Sequence, residues 1–303
     1  MITQPGIYAD MPSADYFADP CPSPSLTQSL AKLLIDRSPR HVWHAHPRLN
    51  SAYEPDESTR FSVGNAAHWH LIGRGKQLAV VDAADWRTKD AKNERERLRG
   101  EGLVPVLREQ YERAGDMAEA ALDQLAALGL ADEWHPDAGI GEAVIAWRDG
   151  AIWMRAMIDW LPHHRRIVWD YKTTQASAAP HALANKMAAD GWCIQAAMHE
   201  RGLDALDPGN AGRRRHLFVC QECEPPYALT VSEIPEGALH IGRAQLAHAK
   251  AAWDACMASG HWPGYPLEIV VPDYPDFMAN RWFDREVEAG RRNGFDPEIR
   301  MAG

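Results

Sequence analysis

The stretch MIDWLPHHRRIVWDYKTT (Met157–Thr174) places Asp159, Asp170 and Lys172 inside runs of aromatic and β-branched residues. Those runs have strand composition, and PHHRR between them reads as a turn. Charges inside buried strands are unfavourable unless something compensates them. A symmetric hairpin centred between His164 and Arg165 sets Asp159 opposite Asp170. Opposed Cβ atoms in such a ladder lie about 4.5–5.5 Å apart, and like charges there destabilise the pair. Two carboxylates so placed need a cation between them, or one of them must keep a proton. Lys172 shares a strand face with Asp170 and Val168, while Trp169, Tyr171 and Thr173 take the other face. Oxygen donors suit Mg²⁺ or Mn²⁺, and a metal beside an ammonium group suits phosphodiester cleavage. The plainer reading is ion pairing alone, since D-x-K is common by chance and Arg155, Arg165 or Arg166 could neutralise both carboxylates.

Outward from this hairpin, EAVIAWRDGAIWMRAMIDWL reads as two strands joined at RDG. HALANKMAADGWCIQAAMHERGL reads as helix, RRHLFVCQEC and YALTVSEI as strands, and 236–260 as an amphipathic helix. Upstream, 1–24 reads as an extended arm. A helix follows with Ser25 as its cap and Pro39 as its stop. NSAYEPDESTR reads as a polar loop and VGNAAHWHLIG as a short helix. Residues 85–102 read as a charged helix and 106–130 as an amphipathic one. The tail reads as irregular before a short terminal helix. The pattern predicts an α/β fold with an N-terminal helical extension, divided as 1–60, an arm and helix packed on the core, and 61–303, one compact catalytic domain.

The chain has 303 residues, 32 Lys and Arg against 42 Asp and Glu, and a net charge of −10. That balance opposes a protein that merely coats nucleic acid, yet allows an enzyme whose cations are gathered in one channel. No apolar run approaches the roughly 20 residues that span a bilayer, and the N-terminus lacks a signal-peptide pattern. Five scattered cysteines fit a reducing compartment, so a cytoplasmic protein is expected. Cys220 and Cys223 fall on opposite strand faces, which favours two core thiols over a shared metal. His44 and His46 in HAH read as surface or capped histidines. The run RTKDAKNERERLR could track phosphates through Arg87, Lys89, Lys92 and Arg95 or be a solvated face; Arg213, Arg214 and Arg215 carry the same ambiguity. Most of the 12 tryptophans are expected in the core.

MRAMIDWL…IVWDYKTT followed by GWCIQAAMHERGL resembles the PD-(D/E)XK nuclease superfamily, in its branch of phage and prophage exonucleases related to exodeoxyribonuclease VIII. PGIYADMPSADYF, SPSLTQSL…SPRHVWHAHPRLN, VGNAAHWHLIG, DWRTKDAKNERERLRGEG and WDACMASGHWPGYP resemble further segments of that branch in the same order. The resemblance implies a restriction-endonuclease-like core, a mixed central sheet flanked by helices. It implies Asp159 and Asp170 as catalytic metal ligands, Lys172 as the catalytic lysine and His68 as a further ligand to Mg²⁺ or Mn²⁺. It implies DNA contacts from Thr173, Gln195 and His199, where His199 stands in place of the tyrosine of a Q-x-x-x-Y motif. Glu142 matches an acidic position and is a possible additional site residue. The activity implied is 5′→3′ digestion of double-stranded DNA ends, leaving 3′ single strands for an annealing protein in phage-type recombination, by a ring-like homo-oligomer. Two alternatives remain: an endonuclease or single-strand nuclease on the same core, and an inactive DNA-binding scaffold.

Overall fold

The computed structural model describes residues 1–54, 63–75 and 77–292. The expected division at 60/61 and part of the expected polar loop lie outside the described residues. Two compact units are present, Met1–Gly264 and Tyr265–Gly303.

In the first unit, β1 (Gly6–Tyr8), α1 (Ser13–Phe17) and β2 (Ser25–Leu26) precede α2 (Gln28–Asp36), α3 (Pro39–Ala45) and α4 (Val63–Ile72). Then come β3 (Leu78–Val81), α5 (Lys89–Gly100), β4 (Val104–Leu107) and α6 (Arg108–Ala127). The hairpins follow as β5 (Gly139–Asp149), β6 (Ile152–Pro162) and β7 (Ile167–Thr174), then α7 (Pro180–Asp190) and α8 (Trp192–Leu206). β8 (Arg215–Glu222), β9 (Leu229–Glu233) and α9 (Glu236–Ser259) complete it. The second unit holds α10 (Asp276–Arg292), amphipathic, with Phe277, Trp282 and Phe283 exposed.

Several boundaries differ from the sequence expectation for local reasons. Thr27, not Ser25, caps α2, its hydroxyl accepting from Leu30 N; Ser25 belongs to β2 instead. Pro39 starts α3 rather than stopping α2, because its missing N–H and fixed φ suit a first helical position. Gly191, at φ 75°, breaks the single expected helix into α7 and α8. The residues read as an extended arm supply β1 to the sheet and form α1.

The main sheet runs β1-β5-β6-β7-β8-β9, with β2 added alongside β6. β7 and β8 are parallel, as are β2 and β6, while the other neighbours are antiparallel. This is the mixed central sheet with flanking helices that the sequence predicts. On one face Ile145, Met154, Ile158, Val168 and Phe218 pack with residues of α2, α8 and α9. On the other, Trp160, Trp169, Tyr171 and Leu217 pack with α4 and α6. Burial of these side chains contributes about 1.5–3 kcal/mol each. The α8–α9 crossing is close, since a Cβ on Gly242 would stand 2.1 Å from Cys193 O.

Two irregularities position the site. β6 and β7 pair at Trp160–Trp169, the register expected from the turn, but beyond that pair they diverge. Farther along β6, its Trp153 and Met154 pair instead with Ser25 and Leu26 of β2. A fork therefore opens between β6 and β7, with β2 closing its far end. The β5–β6 ladder, meanwhile, is interrupted only at Glu142 and Asp159. There inward-facing alternation slips by one in both strands: Ile158 and Leu161, like Ala143 and Ile140, lie on the same face. Glu142 adopts φ 48°, a left-handed conformation that a non-glycine residue takes at a cost of about 1–2 kcal/mol.

Candidate active site in the strand fork

Asp159, mid-fork on β6, turns its Oδ2 to accept from Tyr171 N at 2.9 Å. A side chain thus satisfies a backbone donor that the divergent ladder leaves free. Asp170, on β7, is 2 % exposed. Its Oδ1 lies 2.5 Å from Lys172 Nζ, yet accepts no well-directed hydrogen bond. The contact is therefore one of charge rather than direction. Its Oδ2 accepts from Gln195 Nε2, offered by α8 from the first sheet face. From the opposite face α4 brings His68 Nε2 to 3.5 Å from Asp159 Oδ1. The fork lets groups from both faces meet at one point.

Gly64 explains how α4 comes so near. A Cβ there would stand 2.2 Å from Thr173 Oγ1 on β7. Gly64 and His68 are four residues apart and share a helix face, so the contact that glycine permits also seats the histidine.

The electrostatics are those of crowded like charges. Burial and the neighbouring Asp159 raise the affinity of Asp170 for a proton, against the pull of Lys172 and His68. Burial acts on Asp159 in the same sense, but His68 and Lys172 reverse it and hold Asp159 below its ordinary value. Desolvation lowers His68, yet Asp159, Glu142 and Asp170 more than offset this and raise it. Desolvation likewise lowers Lys172, and Asp170 and Asp159 raise it to a net gain. One carboxylate stays ionised while the other resists ionisation, as expected for two acids sharing a site. The side chains of Asp159, His68 and Lys172 are 21 %, 25 % and 29 % exposed, so that side of the fork is open to solvent.

The donors suit a hard divalent cation in kind: two carboxylates, an imidazole, and an Asp170 oxygen that no directed donor satisfies. Among the described residues no three His, Cys, Asp or Glu groups stand together in metal-holding geometry. Lys172 and Gln195 engage Asp170 as countercharge and donor, and Asp159 is engaged by His68 and Tyr171.

The remaining sequence candidates fall on both sides of this cluster. Glu142 faces a cleft of about 370 Å³ that His68, Tyr171 and Thr173 also line, and it accepts from Ser13 Oγ at 3.0 Å. Ser13 and Arg74 line the same cleft; neither is singled out by the sequence, although Ser13 lies in the segment PGIYADMPSADYF. Gln195 and His199 are buried, at 8 % and 2 % exposure. His199, expected at the DNA, is enclosed in the core, and desolvation lowers its ring to about 3. Gln195 supports Asp170 from beneath. Arg155 neutralises neither site carboxylate, but pairs with Asp19 at 2.9 Å. Cys220 and Cys223 are free thiols facing the two different cores. His46 is enclosed beside Asp19 rather than on the surface. In α5, Arg97 pairs with Glu94 and Glu101, and Arg95 and Arg99 pair with Glu96. Arg214 is buried against Asp204 and Asp207, and Arg215 pairs with Glu233. Of the named cations, Arg87, Arg95, Arg214 and Arg215 thus have carboxylate partners.

A family model described as a PDDEXK-like domain of unknown function (DUF3799) matches residues 30–269. Among solved structures, the crystal structure of a provisionally assigned exonuclease from Eubacterium rectale matches with a TM-score of 0.52 at 10 % identity. The match covers 89 % of this chain and 98 % of that one, and at such identity it speaks for the fold. No curated protein matches the chain.

Proposed function

The chain belongs to the PDDEXK-like DUF3799 family, and on that premise we propose that it is a metal-dependent exonuclease acting on linear double-stranded DNA. The observation that carries the reading is the fork itself, where Asp159, Asp170, Lys172 and His68 converge in mutual electrostatic contact. A structural protein gains nothing from opposing two acids at a strand opening and placing an amine beside them. Asp159, Asp170 and a ring nitrogen of His68 would hold Mg²⁺ or Mn²⁺. When bound, such an ion supplies Lewis acidity at the phosphate. His68 must give up its proton to act as a ligand, so metal uptake releases protons. Gln195 fixes one oxygen of Asp170, and Tyr171 N fixes one of Asp159, so neither carboxylate swings away. Lys172 orients the attacking water and steadies charge developing on the phosphate.

In line with the resemblance, digestion runs 5′→3′ and leaves a 3′ single strand for an annealing protein in phage-type recombination. A ring-like assembly in the cytoplasm reconciles a net charge of −10 with a polyanionic substrate, by keeping the cations inside. Thr173, beside His68 at the cleft wall, and Glu142 contribute to the substrate side of the site.

The test is digestion of linear duplex labelled at either end, and of closed circular duplex, with Mg²⁺, Mn²⁺, Ca²⁺ or EDTA. The expected result is loss of the 5′ label first, from linear DNA only, with Mg²⁺ or Mn²⁺ and not with Lys172→Ala. Cleavage of the circle establishes an endonuclease instead. Wild-type protein that binds DNA without any metal-dependent product establishes the scaffold.

A further inference from the structure

The cleft beside His68 has a neighbour. A second cavity of about 450 Å³ opens between the end of α4, the start of β5 and the turns around Trp134. Its size falls in the range of small-ligand pockets. The two share one lining residue, Arg74. Gly141 makes that placement possible, because a Cβ there would stand 2.9 Å from Arg74 Cγ and 2.8 Å from Ile72 O. The next residue is Glu142, which faces the first cleft.

Among the described residues lining either cavity, Arg74 is the only Arg or Lys. The first cleft otherwise presents Glu142 beside the Asp159–Asp170 pair, a poor reception for a phosphate chain. Arg74 pairs with Asp10 at 2.9 Å, but the two side chains are 47 % and 82 % exposed. Exposed pairs of that kind contribute little to stability, so the guanidinium is free to exchange a carboxylate for a phosphate at small cost. The second cavity offers stacked aromatic rings, Trp134 and Trp160, 6.0 Å apart at 11°. Trp134 and His70 are among its lining residues, and each keeps a buried ring nitrogen, Nε1 and Nε2, without a hydrogen-bond partner. Aromatic side chains are what a nucleobase stacks on.

We propose that Arg74 binds a backbone phosphate of the substrate strand and that the second cavity takes the adjoining nucleotide, with Asp10 as the competitor that phosphate displaces. This rests on the nuclease reading and adds the path of the strand beyond the carboxylates.

The test is fluorescence anisotropy of a labelled linear duplex with Ca²⁺ over a range of salt. Wild type is compared with Arg74→Ala, Arg74→Lys, Asp10→Ala and the double variant, with thermal melting as the folding control. Arg74→Ala is expected to bind roughly tenfold more weakly and to lose about one phosphate from the salt slope. Arg74→Lys regains the slope. Asp10→Ala binds tighter, and the double variant behaves as Arg74→Ala, because Asp10 acts only through Arg74. An abasic residue scanned through the terminal nucleotides weakens wild-type binding at one position. An unchanged slope in Arg74→Ala, weaker binding in Asp10→Ala, or indifference to every abasic position overturns the assignment. Wild type that cuts DNA while Arg74→Ala keeps its slope refutes Arg74 alone, whereas wild type that neither binds nor cuts DNA refutes the nuclease reading beneath it.

Discussion

The protein buries two aspartates among cations, and treats them in opposite ways. Asp19 accepts from Ser25 N at 2.9 Å and Ser25 Oγ at 2.7 Å, and meets Arg155 at 2.9 Å and His46 at 3.2 Å. Arg155 in turn reaches the carbonyls of Tyr16 and Ser25 and lies over the Tyr16 ring. Burial pushes Asp19 up, but His46, Arg155 and Ser25 together hold it below its ordinary value. Asp170 has one ammonium, one amide and a second carboxylate as neighbours, and its proton affinity rises. Both side chains are almost wholly enclosed, at 0 % and 3 % exposure. Burial therefore does not separate the two acids. The completeness of their hydrogen bonding does. Asp19 ties the N-terminal segment to β6; Asp170 is left with capacity that something else must use.

The largest effect should come from the incomplete site. Asp170→Ala is expected to reduce Mg²⁺-dependent cleavage by about a thousandfold, in keeping with the several kcal/mol a metal contributes, while the melting temperature does not fall. Retained activity in an end-labelled digestion assay would remove Asp170 from the chemistry. The complete site should fail in the other currency. Asp19→Ala leaves Arg155 buried without its countercharge and is expected to destabilise by about 3–5 kcal/mol in urea unfolding. Cleavage per folded molecule is unchanged.

Gly64→Ala tests how tightly the fork depends on helix approach. The added carbon meets Thr173, so a loss of about 1–3 kcal/mol is expected, together with weaker metal binding by calorimetry as His68 moves from Asp159. A normal metal affinity in a destabilised Gly64→Ala protein would show that His68 is not a ligand.

The smallest effect is a pair of opposed pH slopes in metal-free protein. Asp19, lowered in the folded state, stabilises above the ordinary aspartate range, and that contribution is lost as pH falls through its folded value. Asp170, raised in the folded state, contributes stability at low pH that is lost as pH rises above the ordinary aspartate value towards its folded value. Asp170→Asn should therefore gain on wild type as pH rises from about 4 to about 6. Asp19→Asn should instead lose ground only as pH rises from the lowered value of Asp19 to about 4, and run parallel to wild type above that. Parallel curves for the two variants would mean that the two acids are not different in kind.

Much of this was legible in the order of residues. The alternation through Val168, Trp169, Asp170, Tyr171 and Lys172 assigns each side chain to a face, because a strand has a period of two and no side chain can evade it. The turn between Pro162 and Arg166 then sets Trp160 against Trp169. Cys220 and Cys223 separate onto two faces by the same parity. Helical spacing relates His199 to Gln195 but says nothing about which surface α8 presents to the sheet. Arg155 was similarly ambiguous: its charge was visible, its partner 136 residues earlier was not.

Local pattern alone thus marked β5 to β9 and the faces their side chains take, since these depend only on residue period and on short turns. Tertiary structure decided that β6 and β7 part where the acids lie, that β2 closes the gap, that Gly64 admits His68, and that Asp19 rather than Asp170 receives Arg155. Those outcomes depend on packing between segments far apart in the chain, where a single missing Cβ or one satisfied hydrogen bond selects between arrangements that no local periodicity can rank.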